Sequence, residues 1–349
     1  MAKRTLDSFF QTPPKKQKTE TSLRSSPTQQ PAPLDESEQD ASGAPPSTHS
    51  TYPCPVPVMP LSIVDILQYS PSTSARHVNN RPHLDLLYYE PFIHRKAAES
   101  LFRFLRKELF FYRVQYKTKR GSVETDINTP RFTTVFGVDE TSKWHQTRPD
   151  ADQTLLEASN GKPVDGKKYA RPPRPIPGCL ETLRHATEAV TGETFNFCLV
   201  NYYASGTDSI SYHSDDERFL GHNPAIASFS LGSKRDFLMK PKPKPPLKDG
   251  PAAAPDGEVD NKPLKLPLAS GDMVLMRGET QSNWLHSIPK RSGGQGDGGR
   301  INITLRKAMV KGGSENYYQY NVGVGPAHKW DEVQREMVPW EGDAVRQAS

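Results

Sequence analysis

A mainly β protein with flanking helices, closed as an antiparallel barrel or jelly roll, is what the sequence predicts. Three observations predict it. From Phe195 to Lys307 the chain is a succession of short strand-type runs, several bounded by glycine or proline. Ahead of them lie two stretches with helical periodicity. Residues 11 to about 80 are rich in Pro, Ser, Thr and Gln and poor in aliphatics, so they bury too little to offset chain entropy.

Composition agrees. The 349 residues are only 34% hydrophobic and include 33 prolines, with a mean hydropathy of −0.71. A wholly packed domain is nearer about 45–50% apolar, so a substantial part of this chain is expected to lie outside a core. No apolar run reaches the length of a membrane helix, about 18 residues, and the start, Met1-Ala2-Lys3-Arg4, lacks the apolar stretch of a signal peptide. Cys54, Cys179 and Cys198 are odd in number and far apart, which argues against a disulfide framework or a cysteine zinc site. The net charge of +5 is compatible with nucleic acid without demanding it.

Three regions are expected. Residues 1–80 form a disordered arm, with Leu61–Leu67 a candidate short helix; the domain proper runs over 84–309; residues 310–349 are a C-terminal extension. Pro91–Leu109 reads as a helix, because Phe92, Ala97, Leu101, Leu105 and Leu109 recur at helical spacing and Pro91 suits a first turn. Phe111–Tyr116 and Phe132–Phe136 are strand-type, with the basic stretch Lys117–Arg120 as a turn between them. Residues 138–168 are polar and read as a long loop. Gly178–Val190 is a second helix, with Gly192 placed to stop it. The strands then follow: Phe195–Tyr203, Ala225–Leu231, Arg235–Met239, Leu264–Leu268, Asp272–Met276 and Arg300–Lys307. Residues 240–263, mostly Lys, Pro, Ala, Asp and Gly, read as an unstructured insertion between two paired strands.

The chemistry concentrates in the strand-rich half. His213-Ser214-Asp215 is a His-x-Asp step, and on a strand such side chains share a face. His286 offers a third donor. Two histidines and a carboxylate are the facial triad of non-haem Fe(II) oxygenases; zinc suits the same donors, so the triad alone leaves the metal open. Arg300-Ile301-Asn302-Ile303-Thr304-Leu305-Arg306 alternates, with Arg300, Asn302, Thr304 and Arg306 on one face and the aliphatics on the other. If the polar face points inward, its arginines need anions, and a dicarboxylate supplies two groups that arginine binds bidentately.

These motifs together resemble the AlkB family of Fe(II)- and 2-oxoglutarate-dependent nucleic-acid demethylases, most closely its nuclear eukaryotic branch acting on double-stranded DNA. The resemblance covers roughly residues 84–309. It extends to Pro130-Arg131, Phe195–Asn201 with Tyr203, His213–Glu217, Ala227–Gly232, Arg235-Asp236-Phe237 and Trp284–Pro289. It implies a double-stranded β-helix (a jelly-roll relative) with Fe(II) on His213, Asp215 and His286. It implies 2-oxoglutarate among Asn201, Tyr203, Arg300, Asn302, Thr304 and Arg306, with the two arginines on its carboxylates, and O2 as oxidant. Arg131, Tyr169, Asp216 and Glu217 would meet the substrate. The implied reaction is oxidative removal of a methyl from the ring nitrogen of a base such as 1-methyladenine or 3-methylcytosine, releasing formaldehyde. A duplex base must be flipped out to reach such a pocket. Related duplex enzymes insert a Val-Phe-Gly wedge from the hairpin before the Pro-Arg step; that hairpin here has Ser122 and Val123, and Val135-Phe136-Gly137 comes only later. An RNA demethylase and a catalytically silent DNA- or clamp-binding scaffold are the competing readings.

The arm carries two signals of its own. Thr5-Leu6-Asp7-Ser8-Phe9-Phe10 resembles the peptide that docks on the PCNA sliding clamp, with Lys3 where glutamine is usual. Leu6, Phe9 and Phe10 would form one apolar plug on a helical turn. Residues 13–18 hold a basic run of the nuclear-import type. A nuclear monomer, not attached to membrane, is expected. A synthetic peptide of residues 1–20 is expected to bind the clamp by calorimetry; absence of binding would remove this partner.

Overall fold

The computed structural model describes residues 56–120, 123–145, 153–243, 262–291, 298–322 and 326–340. The clamp-type peptide and the basic run at 13–18 lie outside these residues. In chain order the elements are α1 (Leu61–Leu67), β1 (Arg76–Val78), β2 (Leu86–Tyr89), α2 (Arg95–Glu108), β3 (Phe111–Arg120), β4 (Val123–Gly137), β5 (Ser142–His145), β6 (Thr154–Glu157) and α3 (Gly178–Thr191). There follow β7 (Phe197–Tyr203), β8 (Ile210–His213), a 3-10 turn at Arg218–Leu220, β9 (Ile226–Gly232), β10 (Arg235–Pro241), β11 (Leu264–Leu268) and β12 (Met273–Met276). The described residues end with α4 (Thr280–Asn283), β13 (Trp284–Ile288), β14 (Arg300–Arg306), α5 (Lys311–Val322), β15 (Ala327–Asp331) and β16 (Glu336–Pro339).

Two antiparallel sheets face each other. The larger runs β1-β2-β12-β9-β14-β7-β4-β3-β15-β16, and the smaller β11-β10-β13-β8. This is the expected jelly-roll core. Strand alternation sorts side chains between its two sides. Ile301, Ile303 and Leu305 of β14 join Val200, Tyr202, Phe229 and Leu275 in a core shared with α1, α2 and α3. On the opposite face Phe197, Leu199, Tyr203, Tyr88 and Val274 pack with Phe237, Met239, Leu266 and Ile288 of the smaller sheet. The polar row of β14 therefore points between the sheets, and all seven of its residues are buried.

Several expectations need correction. The candidate helix Leu61–Leu67 forms as α1, but the boundary expected at residue 80 is too late, because β1 also forms before it and the chain is already ordered from residue 56. Met59, Ile63 and Leu67 are buried against α2 and α3, an apolar surface that only tertiary contact reveals. The stretch Lys117–Arg120 is strand rather than turn, because β3 pairs with β4 as far as Arg120 opposite Val123. The long loop at 138–168 contains the β5–β6 hairpin. Val135 and Phe136 are buried core residues, in keeping with their place after the Pro-Arg step and not in the wedge. Helix α3 stops as expected, with Gly192 taking the left-handed conformation (φ 72°) that ends a helix without steric cost.

The insertion is bracketed as expected by a paired hairpin, β10 with β11, from Arg235 opposite Leu268 to Met239 opposite Leu264. Its start at 240 is corrected: Lys240 and Pro241 belong to β10 and pair with β13, and Lys242 forms an ion pair with Asp216. Excising residues 244–261 and closing the gap with a short Gly-Ser link is expected to leave 2-oxoglutarate turnover and the thermal midpoint unchanged, since loop length acts weakly on stability. Collapse of both would show that the segment is part of the fold.

Candidate metal centre

The site is built across the smaller sheet. His213 closes β8 and lies directly opposite His286 of β13 in register. Their rings sit 4.2 Å apart, centroid to centroid, and Phe237 of β10 stacks on His286 at 5.3 Å. Asp215 does not share a strand with His213, contrary to the spacing argument, because β8 ends at His213. Two other contacts bring its carboxylate in. Its backbone N–H donates to the buried Gln281 Oε1 at 2.8 Å, and Arg306 Nη2 donates to its Oδ1 at 2.8 Å. Asp215 Oδ2 then lies 3.8 Å from His286 Nε2. One donor atom from each of His213, Asp215 and His286 falls within 4.8 Å of the others.

The protonation states suit a metal. Burial pulls His213 below the usual imidazole range. Burial and the neighbouring His213 pull His286 down to about 3. Both rings are therefore neutral, the form that binds metal. Burial pushes the Asp215 carboxyl up, but the Arg306 guanidinium outweighs it and holds the group below its ordinary range. His213 Nδ1–H donates to the Ser211 carbonyl at 2.8 Å, which leaves Nε2 as the lone-pair nitrogen. Two neutral imidazoles and one carboxylate, converging in a buried cleft, fit a divalent first-row metal with positions left open.

The polar row of β14 lies beside this triad. Register places Arg300 opposite Tyr203 and Asn302 opposite Asn201. Arg300 is 1% exposed. Its Nη2 donates to Ser230 Oγ at 2.9 Å, while Nε and Nη1 have no hydrogen-bond partner among the described residues. Burial, with Arg235 adding to it, draws Arg300 down to about 10. A buried guanidinium with unused donors is costly unless an anion completes it. Arg306 differs, because Asp215 already neutralises it. Asn302 donates to Ser228 and Phe229, and Thr304 donates to the Leu199 carbonyl, so both brace the sheet.

The four expected substrate residues part company. Arg131 is buried, and its Nε donates to Asn201 Oδ1 at 3.1 Å. Tyr169 is buried, with its hydroxyl donating to Asp139 Oδ2 at 3.1 Å and bonded to Ser142 at 2.9 Å, not to the triad. Asp216 faces outward to Lys242. Glu217 lies near Asp215 and Arg306: its Oε1 accepts from the Tyr317 hydroxyl at 2.7 Å, and its Oε2 is buried without a partner among the described residues. Burial and the nearby Asp215 raise its pKa. The spacing argument missed Gln281 and Tyr317. Gln281 stands just ahead of the Trp284–Pro289 motif with no periodic signal, and Tyr317 is one of five tail aromatics, with Tyr318, Tyr320, Trp330 and Trp340, that the sequence does not rank.

The class follows from this geometry. Residues 85–306 match the 2OG-Fe(II) oxygenase superfamily, and the chain belongs to that family. Fe(II), 2-oxoglutarate and O2 are the cofactors that membership assigns. Among individual proteins, the chain is 36% identical over 176 residues to human (Homo sapiens) DNA oxidative demethylase ALKBH2, covering 50% of this chain and 60% of the relative. It is 40% identical over 127 residues to human alpha-ketoglutarate-dependent dioxygenase alkB homolog 3, covering 36% and 41%. It is 37% identical over 143 residues to DNA oxidative demethylase ALKBH2 of Arabidopsis thaliana, covering 38% and 44%. The matched region thus spans between 41% and 60% of these relatives' length.

Gln281 generates a prediction. Gln281→Leu leaves the Asp215 N–H without its acceptor, and loss of such a supporting contact weakens metal binding about 10- to 100-fold. Mn(II) titration of the metal-free protein should show this, and an unchanged Kd would assign Gln281 to packing alone.

Proposed function

We propose that this chain is an Fe(II)- and 2-oxoglutarate-dependent dioxygenase that repairs DNA by oxidising N-alkyl groups on bases of the 1-methyladenine and 3-methylcytosine type. One observation carries the reading: the buried, anion-poor guanidinium of Arg300 lies on the strand whose other end, Arg306, contacts the metal-donor carboxylate. A dicarboxylate co-substrate set between the triad and Arg300 satisfies both.

His213, Asp215 and His286 are the residues that would hold Fe(II). Arg300, with Asn201 and Tyr203 on the neighbouring strand, would receive one carboxylate of 2-oxoglutarate, and Arg306 would orient the other. The bound iron supplies oxidation: one O2 and one 2-oxoglutarate become succinate, CO2 and one oxygen atom inserted into a C–H bond of the methyl group. The resulting N-hydroxymethyl collapses to formaldehyde and the repaired base. The protein's part is orientation and exclusion of water. Glu217 Oε2, a buried acceptor with no donor, suits the exocyclic amino group of adenine or cytosine. The names of the curated relatives support DNA as the substrate class. Duplex preference, base flipping, action as a monomer, docking on PCNA through Leu6, Phe9 and Phe10, and nuclear import through residues 13–18 rest on the sequence resemblances.

The test is repair of a duplex oligonucleotide carrying 1-methyladenine, with Fe(II), 2-oxoglutarate and O2, followed by mass spectrometry. Wild type should lose one methyl mass; His213→Ala and Arg306→Ala should not. If wild type acts only on a matched RNA strand, the RNA reading replaces this one. Failure on duplex, single strand and RNA alike would favour the scaffold.

A further inference from the structure

We propose that Tyr317, on helix α5 beyond the family-matched segment, is a positioning residue that fixes Glu217 as a one-sided acceptor and so favours bases with an exocyclic amino group. The inference rests on the substrate reading above. Its own ground is a continuous chain of hydrogen bonds. Asp215 Oδ1 accepts from Arg306 Nη2 at 2.8 Å. Arg306 Nη1 donates to the Tyr317 hydroxyl. That hydroxyl donates onward to Glu217 Oε1 at 2.7 Å. The phenol thus joins the arginine of the co-substrate pocket to the carboxylate of the base pocket.

Helix α5 is locked in place for this role. Ser314 Oγ donates to Asp139 Oδ2 at 2.9 Å, and the Tyr318 hydroxyl donates to the Gly137 carbonyl at 2.7 Å. Gly313 lies so close to the 3-10 turn after Glu217 that a Cβ there would fall 1.8 Å from Phe219 Cγ. The Tyr317 ring is held by Phe197 and Phe219, each 5.5 Å away, and by the Arg306 guanidinium at 5.0 Å. With Oε1 held by the Tyr317 hydroxyl, the carboxylate cannot turn freely, and Oε2 is the oxygen that has no donor among the described residues. A base with an amino group at the pairing edge gives that oxygen a donor. A base with a carbonyl there sets one acceptor against another.

Tyr317→Phe keeps the ring and its packing and removes only the hydroxyl. The experiment measures binding of oligonucleotides carrying 1-methyladenine or 3-methylthymine, by fluorescence anisotropy, to protein loaded with Mn(II) and 2-oxoglutarate without O2. Wild type should prefer 1-methyladenine. In the variant that preference should narrow about tenfold, through weaker binding of 1-methyladenine, as expected for loss of a hydrogen bond to a charged group. Binding of 3-methylthymine and of 2-oxoglutarate should be unchanged, the latter because Arg306 keeps Asp215. If the preference persists in the variant, Tyr317 has no such role and the proposed substrate stands. If both bases, 2-oxoglutarate and the thermal midpoint weaken together, Tyr317 is a structural brace and the inference falls. If wild type shows no preference between the two bases, the one-sided acceptor falls. If it binds neither better than unmodified DNA, the substrate reading falls with it.

Discussion

The ion pair between Asp215 and Arg306 is the constraint around which the interior is arranged. Both side chains are 2% exposed. Either charge alone at that depth would be expensive, and removing one partner of such a pair typically costs about 3–5 kcal/mol. The pair is therefore self-enforcing. It draws a loop residue, two positions beyond the end of β8, into the cleft where two histidines already meet. It also keeps Asp215 ionised and unable to act as a proton donor. With both imidazoles held neutral by burial, the triad carries a single negative charge, which suits a divalent cation.

The same pair makes the two arginines of β14 chemically different. Arg306 has its counter-charge inside the protein. Arg300, also fully buried, has a serine hydroxyl at one nitrogen, Tyr203 beside it and, among the described residues, no carboxylate neighbour. An anion entering the cleft meets one satisfied and one unsatisfied cation on the same strand face. On the proposed reading, that asymmetry would give a dicarboxylate a preferred direction, with one end drawn to Arg300 and the other beside the triad. Position along a rigid central strand, flanked by β7 and β9, sets the separation.

Much of this is legible in the sequence because it rests on strand periodicity. The alternation from Arg300 to Arg306 assigns each residue to the correct face, since a period of two survives any tertiary context in which the strand is central. The triad is legible from residue type, although the local geometry is not. The spacing of His213 and Asp215 suggests a shared strand face, whereas the carboxylate arrives through Gln281 and Arg306, partners distant in sequence. Leu61–Leu67 is legible as a short helix, but β1 and the burial of Met59, Ile63 and Leu67 are not, because α2 and α3 supply that apolar surface from elsewhere in the chain. Helix α5 is hidden for the same reason: two glycines at its start and a run of polar residues conceal a segment whose stability comes from Ser314, Tyr318 and the contact at Gly313.

This last element separates two kinds of design within one cleft. The metal donors and the arginine row lie in strands of the family-matched segment or in the loops joining them. The contact that restrains Glu217 comes from outside it, on a helix tied down by Asp139 and Gly137 at the far end of β4. A change in α5 can therefore alter the setting of Glu217 while leaving the triad in place. The converse does not hold. Tyr317 reaches Glu217 only alongside Arg306, and Arg306 is where it is because Asp215 requires it. The peripheral helix can tune the pocket, but the geometry it tunes is dictated by the buried charge pair.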